Sequence, residues 1–180
     1  VVTGFDSTVL NEPSIAVWLI GTEPYPTEDV NIVDCKIEKF CYGLWNDTAF
    51  EYCQNVMLSS GQFKELYEAV HLCVSNGTAK NVVVTTSLFD DIYASAINVG
   101  NVDNFASSFN YFKNVGNNDY IVTSGSPVNP VIRFGSDTDH SASLGDLFDR
   151  SDADDLSVPR IATANSNTSY FRYGHVIGMG

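Results

Sequence analysis

The placement of sulfur limits this chain more than any other feature. All four cysteines, Cys35, Cys41, Cys53 and Cys73, lie within residues 34–74 of a chain of 180 residues. The same stretch carries two patterns with the spacing of an amphipathic helix. Ala49, Phe50, Cys53, Val56 and Met57 recur at i, i+3, i+4, i+7 and i+8, and Phe63, Leu66, Tyr67, Val70 and Cys73 follow in the same way. Asn46, Asp47 and Thr48 offer N-caps to the first pattern. Ser59 and Gln62 have capping-box spacing before the second. The short link at residues 59–61 predicts an antiparallel helical hairpin.

Such a hairpin restricts the disulfides. Cys53 and Cys73 lie at unequal distances from the turn, which offsets them by roughly 10 Å along the helices. A bridge needs Cα atoms within about 7 Å, so Cys53–Cys73 is disfavoured. Two pairings remain. Cys41–Cys73 with Cys35–Cys53 is preferred because Cys73 lies level with the start of the first helix. Cys35–Cys73 with Cys41–Cys53 is the alternative. The spacing contains no CxxC or CxxH, which disfavours zinc.

Elsewhere, residues 14–21 form a short apolar run between Pro13 and Gly21 and read as a buried central strand. Residues 30–33 suggest a short edge strand. Residues 81–86, NVVVTT, form a β-branched run and read as a second buried strand. Helices are predicted over residues 87–97 and 103–113, with a short one near 143–148. Further strands are predicted at 120–123, 128–134 and 170–177. A strand followed by a helix pair, given twice and then followed by strands, predicts an α/β sandwich. Its mixed or mainly antiparallel sheet would carry helix pairs on one face, stapled by disulfides, in one domain spanning residues 1–180. No internal repeat beyond that rhythm is evident.

Charge narrows the partners. With 22 acidic and 9 basic residues the net charge is −13, which repels phosphate and excludes nucleic acid as a partner. No apolar run approaches the length of a transmembrane helix. The excess of carboxylates suits work in acid, although solubility alone accounts for it. A first residue other than Met, together with a disulfide framework, predicts a processed, secreted, extracellular protein. Sequons at Asn46, Asn76 and Asn167 are glycosylation candidates, in a number that chance alone would supply.

No motif declares a reaction, and no cofactor is implied. The acidic stretch holds Asp137, Asp139, Asp146, Asp149, Asp152, Asp154 and Asp155, with Asp137 and Asp139 as calcium candidates, but it lacks EF-hand order. Glu68 and His71 have the E-x-x-H spacing of half a di-iron helix without a second half, so His71 reads as structural. His140 and His175 are candidate general bases. Tyr170, Phe171, Arg172 and Tyr173 form an aromatic run with one cation, read as an ordinary strand before a binding patch.

The cysteine-bearing helix pair of residues 35–73, the acidic balance, the processed start and the α/β rhythm resemble the secreted killer toxins of yeasts and other fungi. The resemblance is one of general character and transfers no functional residue. It implies a chain cut from a precursor, acting at a target cell's wall or membrane as one subunit beside a companion chain. The leading expectation is therefore binding of a protein or cell-surface partner, a companion chain or a homo-oligomer, rather than catalysis. The alternatives are an acid-active secreted hydrolase using a His/carboxylate site, and a structural cell-wall glycoprotein.

Overall fold

The computed structural model describes residues 2–3, 14–116, 131–135, 141–149, 161–163, 170–172 and 176–177. Among these residues every regular element is a strand, and the strands wind into coils. The first coil contributes β1 (Val2–Thr3), β2 (Ile15–Trp18) and β3 (Thr27–Val33). The second gives β4 (Lys36–Glu38), β5 (Tyr42–Asn46) and β6 (Tyr52–Ser59), and the third β7 (Gln62–Leu66), β8 (Glu68–Leu72) and β9 (Thr78–Thr85). β10 (Leu88–Ile92), β11 (Ile97–Val99) and β12 (Val102–Ser108) follow, then β13 (Tyr111–Val115), β14 (Ile132–Phe134) and β15 (Ala142–Leu144). The described strands end with β16 (Leu147–Asp149), β17 (Ile161–Thr163), β18 (Tyr170–Arg172) and β19 (Val176–Ile177).

Every third strand stacks in parallel on its predecessor. The first sheet runs β1-β4-β7-β10-β13-β16-β19, the second β17-β14-β11-β8-β5-β2, and the third β18-β15-β12-β9-β6-β3. This is a parallel β-solenoid. It replaces the expected α/β sandwich with its antiparallel or mixed sheet and helix pairs.

The helical spacings have a physical explanation. In the first sheet, Lys39, Glu65, Asp91 and Asn114 all take positive φ, between 51° and 64°. Each such left-handed residue adds one position between two inward side chains, as at a bulge. Phe63 and Leu66, Phe89 and Ile92, and Phe112 and Val115 therefore all point into the core at a spacing of three. In the third sheet, Asn55 (φ 54°) similarly separates buried Cys53 from buried Val56. Strands bent at regular intervals thus imitate the 3–4 alternation of a helix. The expected helix over residues 48–58 is a corner followed by β6, and the expected helix over 63–73 is β7, a corner and β8. Those over 87–97 and 103–113 are β10 with the start of β11, and β12 with β13. The short one near 143–148 falls in β15 and β16. The run at 30–33 does form a strand, within β3, and the run at 81–86 falls in β9 up to Thr85. The run at 14–21 supplies β2, which lies at an edge of its sheet and not at its centre.

The missed repeat is written in partners one coil apart. Asn55 donates to Asp29 26 residues before it. Asn81 donates to Asn55 26 residues before it, and Asn104 to Asn81 23 residues before it. All four residues of this column have positive φ. Inside, Phe63, Phe89, Phe112 and Phe148 stack ring on ring, with centroids 5.1, 4.9 and 5.2 Å apart and planes within 15°. Strands in register about 4.8 Å apart impose that ring spacing, and offset stacking suits it. A buried polar column fills the corner before the first sheet. Asp146 accepts from the Ser107 and Ser143 hydroxyls, each at 2.6 Å, and from the Asn110 N–H at 2.9 Å.

The cysteines are not bridged. Cys35, Cys41, Cys53 and Cys73 are all free thiols, which corrects both expected pairings and the disulfide-stapled core. Dissolving the helical hairpin distributes them around the coil. Cys35 sits at a corner before the first sheet and Cys41 before the second. Cys53 points inward from the third sheet, and Cys73 closes β8 at positive φ. The Cys73 thiol donates to Asn46 Oδ1 at 3.1 Å. Burial pushes the Cys41 thiol up to about 11 and the Cys53 thiol up to about 12, so neither is a ready nucleophile.

Two outcomes follow for stability and chemistry. Phe89→Ala removes the second ring of the stack, and urea unfolding should show a loss of about 3–5 kcal/mol. Alkylation in denaturant without reductant should add four groups by intact mass, whereas in the native protein Cys35 should react before the three buried thiols.

Candidate functional site

The corner between the second and third sheets carries the chemistry. In the second coil this corner runs from Asn46 to Glu51. It is flanked on one side by residues 18–25 and on the other by residues 73–78. Backbone contacts tie the three together. Thr22 pairs with Glu51 in an antiparallel bridge. The Tyr52 N–H donates to the Gly21 carbonyl at 2.6 Å, and the Thr78 N–H to the Glu51 carbonyl at 3.0 Å.

A cleft of about 400 Å³ opens here, lined by Thr22, Glu23, Phe50, Glu51, Tyr52, Gly77 and Thr78. That volume is in the range of small-ligand sites. Glu51 is buried, with one carboxylate oxygen accepting from Trp18 Nε1 at 3.0 Å and the other from the Thr48 N–H at 3.0 Å. Glu23 is exposed at the mouth. Around it stand Trp18 (48% exposed), Ile20 (63%), Tyr25 (80%) and Phe50 (86%). Trp18 stands at the end of β2 and the other three on the adjoining corner segments, and so many exposed large apolar side chains close together in the coils are more than folding alone requires. Phe50 is held out by its left-handed backbone, φ 71°, a strained conformation for a bulky residue.

Behind the corner lies a second cluster. Outward positions of the second sheet stack as Trp18, Trp45, His71, Asn98 and Arg133. His71 is clamped between two carboxylates, with Nδ1 against Glu68 Oε2 and Nε2 3.1 Å from Asp47 Oδ2. The other oxygen of Glu68 accepts from Asn98 Nδ2 at 3.0 Å. The other oxygen of Asp47 accepts from the Ser75 and Asn76 N–H groups at 2.7 and 2.8 Å. Trp45 lies nearly parallel to the imidazole at 6.3 Å, and Tyr42 tilts against it at 5.0 Å. Burial disfavours the charged ring, but the hydrogen bonds and charges of Glu68 and then Asp47 outweigh it and raise the His71 pKa.

The E-x-x-H pair thus meets, as a strand pair and not as part of a di-iron helix. Asp146 belongs to the buried polar column, and Asp149 accepts from the Tyr111 hydroxyl at 2.7 Å. Asp137, Asp139, Asp152, Asp154, Asp155, His140, His175, Tyr173 and Asn167 lie outside the described residues, and 170–172 form β18. Among the described residues no group of three or more His, Cys, Asp or Glu is placed to hold a metal ion. Asn46 is fully buried and its amide donates to the Leu19 carbonyl at 2.7 Å, so a glycan there is incompatible with the fold. Asn76 is exposed. Among the described residues no helix is long and apolar enough to cross a membrane.

Sequence reasoning missed Trp18, Glu23, Tyr25, Phe50 and Glu51 as a group. The dense turn chemistry of residues 21–29, with Pro24 and Pro26, was the available signal. Comparison with known proteins adds no assignment: no family model, curated protein or solved structure matches the chain.

The His71 clamp sets a pH dependence. The folded pKa lies above the unfolded value of about 6.5, so its stabilisation is complete below that value and is lost as pH rises through the folded pKa. The melting temperature should therefore fall on going from pH 6 to pH 9. His71→Gln should flatten that part of the profile in a thermal melt series.

Proposed function

We propose that this chain is a recognition protein that binds a partner molecule or a target-cell surface through the corner bearing Trp18, Ile20, Tyr25 and Phe50. The observation that carries the reading is the exposure of these four side chains within and beside the segments that form one acid-lined cleft, three of them aromatic and two, Tyr25 and Phe50, the most exposed large apolar side chains among the described residues. Aromatic side chains set on rigid turns supply contact area at low entropic cost, and they are enriched where binding energy concentrates. Stacked coils supply the rigidity.

The hydrolase alternative finds less support. Both ring nitrogens of His71 face carboxylates, and both oxygens of Glu51 accept internal hydrogen bonds. Groups engaged in this way hold a corner in place and are not free for proton transfer. Of the features behind the killer-toxin resemblance, the cysteine-bearing helix pair and the α/β rhythm are absent among the described residues, and the free thiols remove the disulfide argument for secretion, whereas the acidic balance stands. The binding reading stands without either.

The test uses the fluorescently labelled full chain on a panel of intact yeast and bacterial cells, read by flow cytometry. The wild type should be retained on at least one cell type. The double variant Tyr25→Ala/Phe50→Ala should lose about tenfold, the loss expected when two exposed anchors go, with an unchanged melting temperature. Equal retention of both proteins, or no retention anywhere, would overturn the reading.

A further inference from the structure

The cleft also carries information about its ligand. Its lining offers acceptors: the Glu23 carboxylate at the mouth and the Thr22 hydroxyl, with the Thr78 hydroxyl, which also accepts from Asn101 Nδ2 at 3.2 Å, and the internally bonded Glu51 carboxylate adding negative charge at the wall. None of the lining residues is basic. The chain as a whole carries a net charge of −13, a field that draws cations inward and repels anions. Two lining residues are aromatic, Phe50 and Tyr52. The Tyr52 ring already receives an ammonium group from the chain itself, with Lys80 Nζ 5.9 Å from its centroid. That distance lies within the reach of a cation–π contact. Lys80 itself is not part of the cleft lining, so the contact shows what this ring engages and leaves the cleft without a cation of its own.

Resting on the recognition reading above, we propose that the cleft takes the ammonium group of a lysine side chain presented by a basic peptide segment of a protein partner. The three N–H donors of an ammonium match the carboxylate and hydroxyl acceptors. Its charge meets Glu23, and Phe50 covers the aliphatic stem. Lys80 places a positive charge at the Tyr52 ring, so removing that charge lowers the repulsion a second ammonium meets and should favour the ligand. An uncharged ligand gives no such sign.

The experiment measures fluorescence anisotropy of a labelled hexapeptide of alternating lysine and glycine, titrated with the full chain at two salt concentrations. The lysine-acetylated peptide and an uncharged β-glucan hexasaccharide serve as comparison probes. Glu23→Gln should weaken binding by about three- to fivefold, the upper range for an exposed charge pair. Lys80→Gln should tighten it, and salt should weaken it. Glu65→Gln, which removes the same charge from the first sheet, should change it less than about twofold. Equal effects of Glu23→Gln and Glu65→Gln would reduce the attraction to diffuse charge and overturn the site. So would undiminished binding of the acetylated peptide, or binding of the hexasaccharide in place of the peptide. Should cell retention still depend on Tyr25 and Phe50 while the peptide fails, the lysine assignment falls and the recognition reading stands.

Discussion

Register between successive coils is the constraint on which the rest depends. Parallel strands can stack side chain on like side chain only when every coil presents the same inward positions at the same height. Here Phe63, Phe89 and Phe112 satisfy that in the first sheet, and Leu44, Val70, Ile97 and Ile132 in the second. Each coil buries its apolar side chains against the coils above and below it, so stability is approximately a sum of neighbour terms. The left-handed residues keep the register true. Asp29, Asn55, Asn81 and Asn104 sit at one height of the third sheet and link side chain to side chain along the axis. Asn and Asp tolerate that backbone conformation better than most residues.

The same winding determines where function can sit. Sheet faces repeat from coil to coil, whereas corners vary, because a corner needs only to return the chain to register. The Asn46–Glu51 corner exploits that freedom. Asp47 fastens it to the next coil through Ser75 and Asn76, and Glu51 fastens it to the previous one through Trp18. His71 sits between Asp47 and Glu68, so an outward position of a regular strand braces an irregular turn. The polar groups behind the cleft therefore explain its rigidity, and the aromatic groups in front explain its exposure.

Parts of this were legible in the residues. The β-branched run at 81–86 reads as a strand, and its residues up to Thr85 lie in β9. The burial pattern was readable in part: Phe63, Leu66, Val70 and Cys73 face the interior, as do Cys53 and Val56, whereas Ala49, Phe50 and Met57 of the other expected apolar face are exposed. What was not readable was the element that places them there. A left-handed Glu65 or Asn55 changes a period of two into a spacing of three; Glu does not announce that conformation, and Asn, though it tolerates it better than most residues, adopts it only at some of its positions. Glycine would have done so, but these bends use Lys, Glu, Asp and Asn. The stronger clue was collective. Asp or Asn before Val or Phe recurs at 29–30, 55–56, 81–82 and 104–105, a column visible only when the chain is laid out in rows of about 26. Read as helices, the cysteines seemed close enough in height to pair. Wound as coils, they part to different corners, and the cross-links vanish with the hairpin that suggested them.

The spacing between equivalent positions is not constant. Asn81 and Asn104 are 23 residues apart, whereas Asn110 and Asp146, one coil apart, are separated by 36. Yet Phe112 and Phe148 still stack with the same tilt as their neighbours. The phenylalanine stack thus advances by a nearly constant step whatever the number of residues between successive rings. An architecture of this kind lets evolution lengthen, shorten or redecorate one loop without disturbing the ring beneath it. It also lets whole turns be copied end to end, and so new binding corners can be added to a scaffold that never has to relearn how to fold.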